Sequence, residues 1–243
     1  MTTAITLQAP AKLTLSLRMT GLRDDGLHLI EAEMVTVDLC DTLEVLEGEP
    51  GLTIVGGGAD IPTGPENLVN RALVLAGRVA TITLTKRIPS QAGLGGGSSD
   101  AGAILRWAEF DDLEYAAMLG ADVAFCTVGG RAKVTGIGEI VEPLPFVEQT
   151  YTLLTPPVPC PTGAIYRRWD ELGGPRGEND NDLEPAALSV SPELARWRDE
   201  LGEVSGSTPR LAGSGSTWFV EGDYPGDERV VAKTVPAEQN PAE

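Results

Sequence analysis

The sequence contains a single histidine, His28, which argues against a zinc site of the usual histidine and cysteine kind. Its three cysteines, Cys40, Cys126 and Cys160, are odd in number and far apart. They show no metal-type pairing, and reduced, buried thiols are expected. Basic residues are scarce: 18 Lys and Arg stand against 36 Asp and Glu, for a formal net charge of −18. Nucleic acids and anionic membranes both need clustered positive charge, so neither is an expected partner. No apolar run approaches the roughly 18–20 residues of a membrane span. The N-terminus lacks the basic stretch and apolar core of a secretory signal. A cytoplasmic protein is the expectation.

What is present is enough for a real core. A chain of 243 residues suits one large domain or two modest ones. Strands are predicted over 5–8, 11–17, 29–39, 42–46, 52–55 and 81–86, with a turn over 22–26 and loops over 56–58 and 62–65. In the second strand Leu13, Leu15 and Leu17 share one face, while Lys12, Thr14 and Ser16 share the other. A helix is expected over 67–77, where Leu68, Ala72, Leu75 and Ala76 recur at helical spacing, and a short one after Asp112, ending near Gly120. Residues 131–135 and 139–144 read as a hairpin, and the pattern pauses over 143–150, which places a boundary between 1–148 and 149–243. Beyond it come a strand over 152–155, helices over 162–172 and 192–201, a polar loop over 173–181, strands over 210–212 and 217–221, and a frayed tail after Pro236.

The strongest chemical signal is Pro89-Ser-Gln-Ala-Gly93-Leu94-Gly95-Gly96-Gly97-Ser98-Ser99-Asp100. Four glycines in five residues let the backbone turn tightly and approach a ligand without Cβ clashes. The run follows a predicted strand and feeds a predicted helix, with Ser98 or Ser99 as its N-cap. Free N–H groups and the positive end of the helix dipole favour a polyphosphate there. A flexible linker or simple helix entry is the plain alternative, but the flanking strand and capped helix weigh toward phosphate. This is not a Walker loop, because no lysine follows the glycines. It is not a dinucleotide fingerprint either, which would follow the first strand and place an acidic residue about 20 positions on.

Other residues are weaker on local evidence. Lys12 alone on a strand reads as solvent-facing, Asp122 reads as a helix N-cap, and His28 as a structural hydrogen-bonder. Gly213-Ser214-Gly215-Ser216 is explained by a hairpin turn, although its backbone could line a pocket.

Taken in order, Lys12 in Pro-Ala-Lys, the loop Gly93–Ser99 and Gly213-Ser214-Gly215 resemble the three motifs of the GHMP kinases, the superfamily of galactokinase, homoserine kinase, mevalonate kinase and phosphomevalonate kinase. Further segments, including Asp25-Gly-Leu-His28, Asp38-Leu-Cys-Asp-Thr42, Asn67-Leu-Val, Lys86-Arg-Ile-Pro89, Leu119-Gly-Ala-Asp-Val123 and Asn181-Asp-Leu-Glu184, make the chain most similar to the family that phosphorylates a cytidine-diphosphate-linked methylerythritol.

The resemblance implies an α+β fold of two domains, with an N-terminal ATP-binding domain and a smaller C-terminal α/β sandwich domain. It implies ATP with Mg²⁺, and a monomer or weak homodimer. Asp122 would take or orient the proton of the attacking hydroxyl, and Lys12 would stabilise charge on the moving phosphoryl group. Gly93, Leu94, Gly95, Gly96, Gly97, Ser98 and Ser99 would wrap the ATP phosphates, with Pro89 at the loop's start. Asn67 and Lys86 would lie near the adenosine. His28, Thr162 and Tyr166 would hold the cytidine part of the acceptor, with Thr14 beside it. Metal ligands stay open, with Ser98, Ser99 and phosphate oxygens as candidates. The chain departs from the family pattern at Leu27, where tyrosine is usual, at Thr14, where asparagine is usual, and in a trimmed helical stretch between Asp100 and Gly120. Another GHMP kinase with a different alcohol acceptor, and a non-catalytic nucleotide-binding relative, remain as alternatives.

Overall fold

The computed structural model describes residues 4–57 and 61–237. Gly58, in the expected loop over 56–58, and the tail from residue 238 lie outside them.

Two sheets organise the chain. The first begins with β1 (Ile5–Leu22) and β2 (His28–Glu47), antiparallel along nearly their whole length. Here the expected pairs of shorter strands are each one continuous strand. The break anticipated near Pro10 is a β-bulge, where a residue without an N–H is tolerated. The break anticipated at Cys40–Asp41 does not occur, because the polar Asp41 is fully buried yet paired with a buried lysine, Lys86. β3 (Gly51–Gly56) runs parallel to β4 (Ala80–Lys86), joined through helix α1 (Leu68–Leu75). β4 pairs with the end of β2, and β5 (Arg131–Gly136) pairs with its beginning and with β6 (Ile140–Pro143) in the expected hairpin.

Helices α2 (Gly96–Trp107), α3 (Leu113–Leu119) and α4 (Val123–Val128) complete this half. Asp112 caps α3 as expected, accepting from the Tyr115 N–H at 3.2 Å. Val69, Ala72 and Leu73 of α1, and Ala101, Ile104 and Leu105 of α2, bury against Leu43, Val45, Ile82 and Leu84 of the sheet. Each fully buried Leu or Ile contributes roughly 1.5–3 kcal/mol relative to exposure.

The second sheet has the order β10-β7-β9-β8, all antiparallel, built from β7 (Thr150–Leu154), β8 (Arg210–Leu211), β9 (Trp218–Glu221) and β10 (Arg229–Lys233). Helices α5 (Thr162–Glu171), α6 (Glu184–Val190) and α7 (Leu194–Ser205) accompany it. α6, of seven residues, and β10, of five, were not anticipated from the sequence. Segments flanking the second sheet's elements tie to the first sheet: Val235 N–H, just past β10, donates to Thr36 O at 3.0 Å, and Asn181, before α6, forms an isolated bridge with Leu17.

Among the described residues the cysteines form no disulfide, with Cys126 and Cys160 buried and Cys40 only half-buried, less enclosed than expected. No helix among the described residues is long and apolar enough to cross a membrane.

Candidate active site

The site starts with the glycine run. Gly93 and Gly95 take positive φ, at 76° and 68°, and Gln91 joins them at 54°. The left-handed turn ends sooner than expected. Gly95, not Ser98 or Ser99, is the N-cap of α2, and the helix already begins at Gly96. With glycine there, no side chain caps the helix, and the first N–H groups have no intrahelical acceptor. Ser98 and Ser99 therefore lie inside the first turn. The two glycines also make room: a side chain at Gly93 would overlap the Ala212 carbonyl, and one at Gly95 would come within 2.7 Å of Lys12 Cγ.

Lys12 is delivered by the bulge between Pro10 and Lys12 of β1. Bulges re-aim side chains next to functional sites. Its backbone N–H donates to Leu94 O at 3.1 Å, tying the strand to the loop. Leu94 itself is buried and anchors the loop in the core with Ile88 and Ala92. Lys12 is 4% exposed, so its charge needs partners. It has two: Nζ donates to Thr14 Oγ1 at 3.0 Å and lies 3.1 Å from Asp122 Oδ2. Asp122 does occupy the N-cap position of α4, but its carboxylate makes no capping bond. It faces the lysine instead.

These residues line a cavity of about 770 Å³. Its wall includes Lys12, Thr14, Asp122, Pro89, Gly93, Gly95–Gly97 and Ser98, and further along Leu27, His28, Thr162, Tyr166, Gly213 and Ser214. His28 Nε2 lies 2.8 Å from Asp170 Oδ1, and its ring sits 5.1 Å from Tyr166 and 5.6 Å from Trp169. Burial pushes the Tyr166 phenol well above its ordinary value. Thr162 Oγ1 is 3.1 Å from Ser214 Oγ.

Three anticipated residues are not on this wall. Leu94 is buried behind the loop. Ser99 is buried, 3.5 Å from Cys126 Sγ. Asn67 caps α1, accepting from Val69 N–H at 2.8 Å and donating to Pro62 O at 2.7 Å.

Lys86 does line the cavity, but its ammonium is held between two buried carboxylates, Asp41 and, at 2.7 Å, Asp100. Asp41 also accepts from Ile88 N–H at 2.9 Å. Burial, with the nearby Asp41 charge, pushes the Asp100 carboxyl up to about 7, against the pull of Lys86. Asp41 escaped sequence reading because it sits mid-strand with nothing local to mark its partner. Asp100 was visible only as a first-turn residue.

The arrangement can hold a triphosphate on main-chain amides beside one ammonium and one carboxylate. Among the described residues no three acidic, histidine or cysteine groups gather as a metal cluster. The wall still offers the Ser98 hydroxyl and the Asp122 carboxylate, hard oxygen donors. So sparse a set fits Mg²⁺, which is commonly held by one or two carboxylates plus substrate phosphates and waters.

Comparison with known proteins shows the family. Residues 67–130 match the family model for the GHMP kinases N terminal domain. A solved 4-(cytidine 5'-diphospho)-2C-methyl-D-erythritol kinase superposes with a TM-score of 0.76 and 31% identity, covering 95% of this chain and 99% of that one. A homoserine kinase from Cytophaga hutchinsonii, at 18% identity and a TM-score of 0.64, shares the fold. The 4-diphosphocytidyl-2-C-methyl-D-erythritol kinase of Granulibacter bethesdensis is 35% identical, covering 95% of this chain and 89% of the relative. That of Paracoccus denitrificans is 36% identical, covering 87% of this chain and 84% of the relative. With such identity across most of both chains, this protein belongs to the 4-diphosphocytidyl-2-C-methyl-D-erythritol kinase family of the GHMP kinases.

Proposed function

We propose that the chain transfers the γ-phosphoryl group of ATP to the 2-hydroxyl of 4-diphosphocytidyl-2-C-methyl-D-erythritol, a step in isoprenoid precursor synthesis. The observation that carries this reading is the Lys12–Asp122 pair, 3.1 Å apart on the wall of the cavity that the glycine loop also lines. Phosphoryl transfer is mainly a matter of positioning and charge stabilisation. Asp122 takes or orients the proton of the attacking hydroxyl. Lys12 keeps that carboxylate aimed and stabilises charge on the transferring group. The amides of Gly95–Ser98 hold the phosphates. Mg²⁺, arriving with the nucleotide, would be held by phosphate oxygens with Ser98 or Asp122 and would neutralise part of their charge.

The acceptor lies toward Leu27, His28, Thr162 and Tyr166, with Thr14 between it and Lys12. Asn67 and Lys86 support the adenosine end, Asn67 through its cap on α1. In this reading residues 1–148 form the nucleotide-binding domain and 149–243 the smaller C-terminal domain. The test is a coupled assay with purified protein, ATP, Mg²⁺ and the cytidine-diphosphate alcohol, run beside homoserine and mevalonate. Turnover confined to the first acceptor is expected. Preference for another alcohol, or none at all with ATP bound, would overturn the assignment.

A further inference from the structure

Asn181 is 3% exposed and is not part of the cavity wall. Its amide is nonetheless fully used, and toward the site. Nδ2 donates to Leu211 O at 2.8 Å and to Gly213 O at 2.7 Å, while Oδ1 accepts from Leu183 N–H at 2.9 Å. The two carbonyls lie at the last residue of β8 and in the turn between β8 and β9.

That turn touches both halves of the site. A side chain at Gly213 would come within 3.2 Å of Lys12 Nζ. On the other side, the Ala212 carbonyl packs against Gly93, and Thr217 N–H donates to Ala92 O at 3.1 Å. Asn181 itself is held by a strap on β1: Leu17 N–H donates to Asp180 O at 2.7 Å, Asp182 N–H to Leu17 O at 2.9 Å, and Arg18 pairs with Asp182 at 2.8 Å. The strap therefore fixes the turn relative to the strand that carries Lys12.

We infer that Asn181 is a positioning residue for phosphoryl transfer, holding the 211–213 turn so that Lys12 and the Gly93 end of the phosphate loop stay in register. The inference rests on the kinase reading above. Only a side chain with two N–H donors and one acceptor satisfies all three backbone groups. Without it, two carbonyls beside the site lose their partner, and the turn shifts to find others. A displacement of about 1 Å from a remote change can cost about 10²-fold in rate.

The test compares Asn181→Ala and Asn181→Asp with wild type, and with Leu201→Ala, a core change in α7 outside the turn, as a stability control. Each is assayed for kcat and KM, per site titrated with ADP. Affinity for a non-hydrolysable ATP analogue relative to ADP is also measured. Wild-type activity comes first: its absence would remove the kinase reading, whereas an active wild type with unimpaired Asn181 variants removes only this inference. For Asn181→Ala, kcat is expected to fall about 10²-fold, and KM for ATP to rise in step with the loss of analogue affinity. Its preference for the triphosphate analogue should fall about tenfold, the value of one charge-assisted contact. The control should keep kcat per site.

Should Asn181→Ala fail to fold, Asn181→Asp decides. Its carboxylate repels both carbonyls, but the protonated acid donates to one, so its kcat relative to wild type should rise as pH falls. Normal kcat per site in a folded variant, an equal loss in Leu201→Ala, or an Asn181→Asp profile parallel to wild type would each overturn the inference.

Discussion

The Lys12 ammonium lies 3.1 Å from the Asp122 carboxylate, though one sits on a bulged strand near the N-terminus and the other at the start of a six-residue helix. Lys12 is almost wholly enclosed, whereas the Asp122 side chain is 31% exposed toward the cavity. One partner is therefore fixed and the other is accessible to a substrate.

Replacing Asp122 with Ala should lower turnover by about 10²–10⁴, the usual range for a general base. ADP binding should persist, because the loop amides do not depend on the carboxylate. Equilibrium binding beside steady-state kinetics checks both halves; undiminished turnover would remove Asp122 from the mechanism.

Glycines in the same left-handed conformation should differ sharply in tolerance. Gly77, at φ 63° with nothing near a would-be side chain, should accept Ala at a cost of about 1–2 kcal/mol in stability and no loss of activity. Gly93, at φ 76°, faces the Ala212 carbonyl, so Gly93→Ala should cost more than this and abolish turnover. Denaturant melts and the coupled assay separate strain alone from strain at the site.

The raised Asp100 carboxyl has a consequence for stability. Its folded value, about 7, lies above the unfolded value near 4, so the native state keeps the proton over that window while the unfolded chain releases it. Its contribution is fully present below pH about 4 and is lost as pH rises toward 7, at no more than about 1.4 kcal/mol per pH unit. Asp100→Asn cannot titrate and should show a flatter stability profile over this range. Parallel urea titrations of the two proteins would expose an error here.

Leu27 is 46% exposed and lines the acceptor end of the cavity near His28. Leu27→Tyr would place an aromatic face there. If the cytidine ring lies against it, KM for the acceptor should drop by about tenfold, within the 1–3 kcal/mol typical of base stacking, with KM for ATP unchanged. An unaltered acceptor KM would put the ring elsewhere.

Several parts of the fold were legible in the chain. The hairpin at 131–144, the Asp112 cap and the tight glycine turn leading into a helix rest on short-range rules that act within a few residues. Others were misplaced for equally local reasons. Pro10 and Asp41 look like strand breakers, yet a bulge accommodates the first and a buried lysine satisfies the second. The serines at 98 and 99 look like caps, yet Gly95, in the left-handed conformation, starts the helix earlier.

By itself, the order of residues determined that the backbone at 93–97 must turn tightly and enter a helix, because glycine's freedom and the helix's unpaired amides are properties of the local chain. Only the tertiary structure decided that Asp122 faces Lys12 instead of capping its helix, that Lys86 is clasped by Asp41 and Asp100, and that Asn181 grips the turn beside the loop. Those pairings join residues remote in sequence. Buried charges and amides need complementary partners, but nothing short of the packed chain says which ones come within reach.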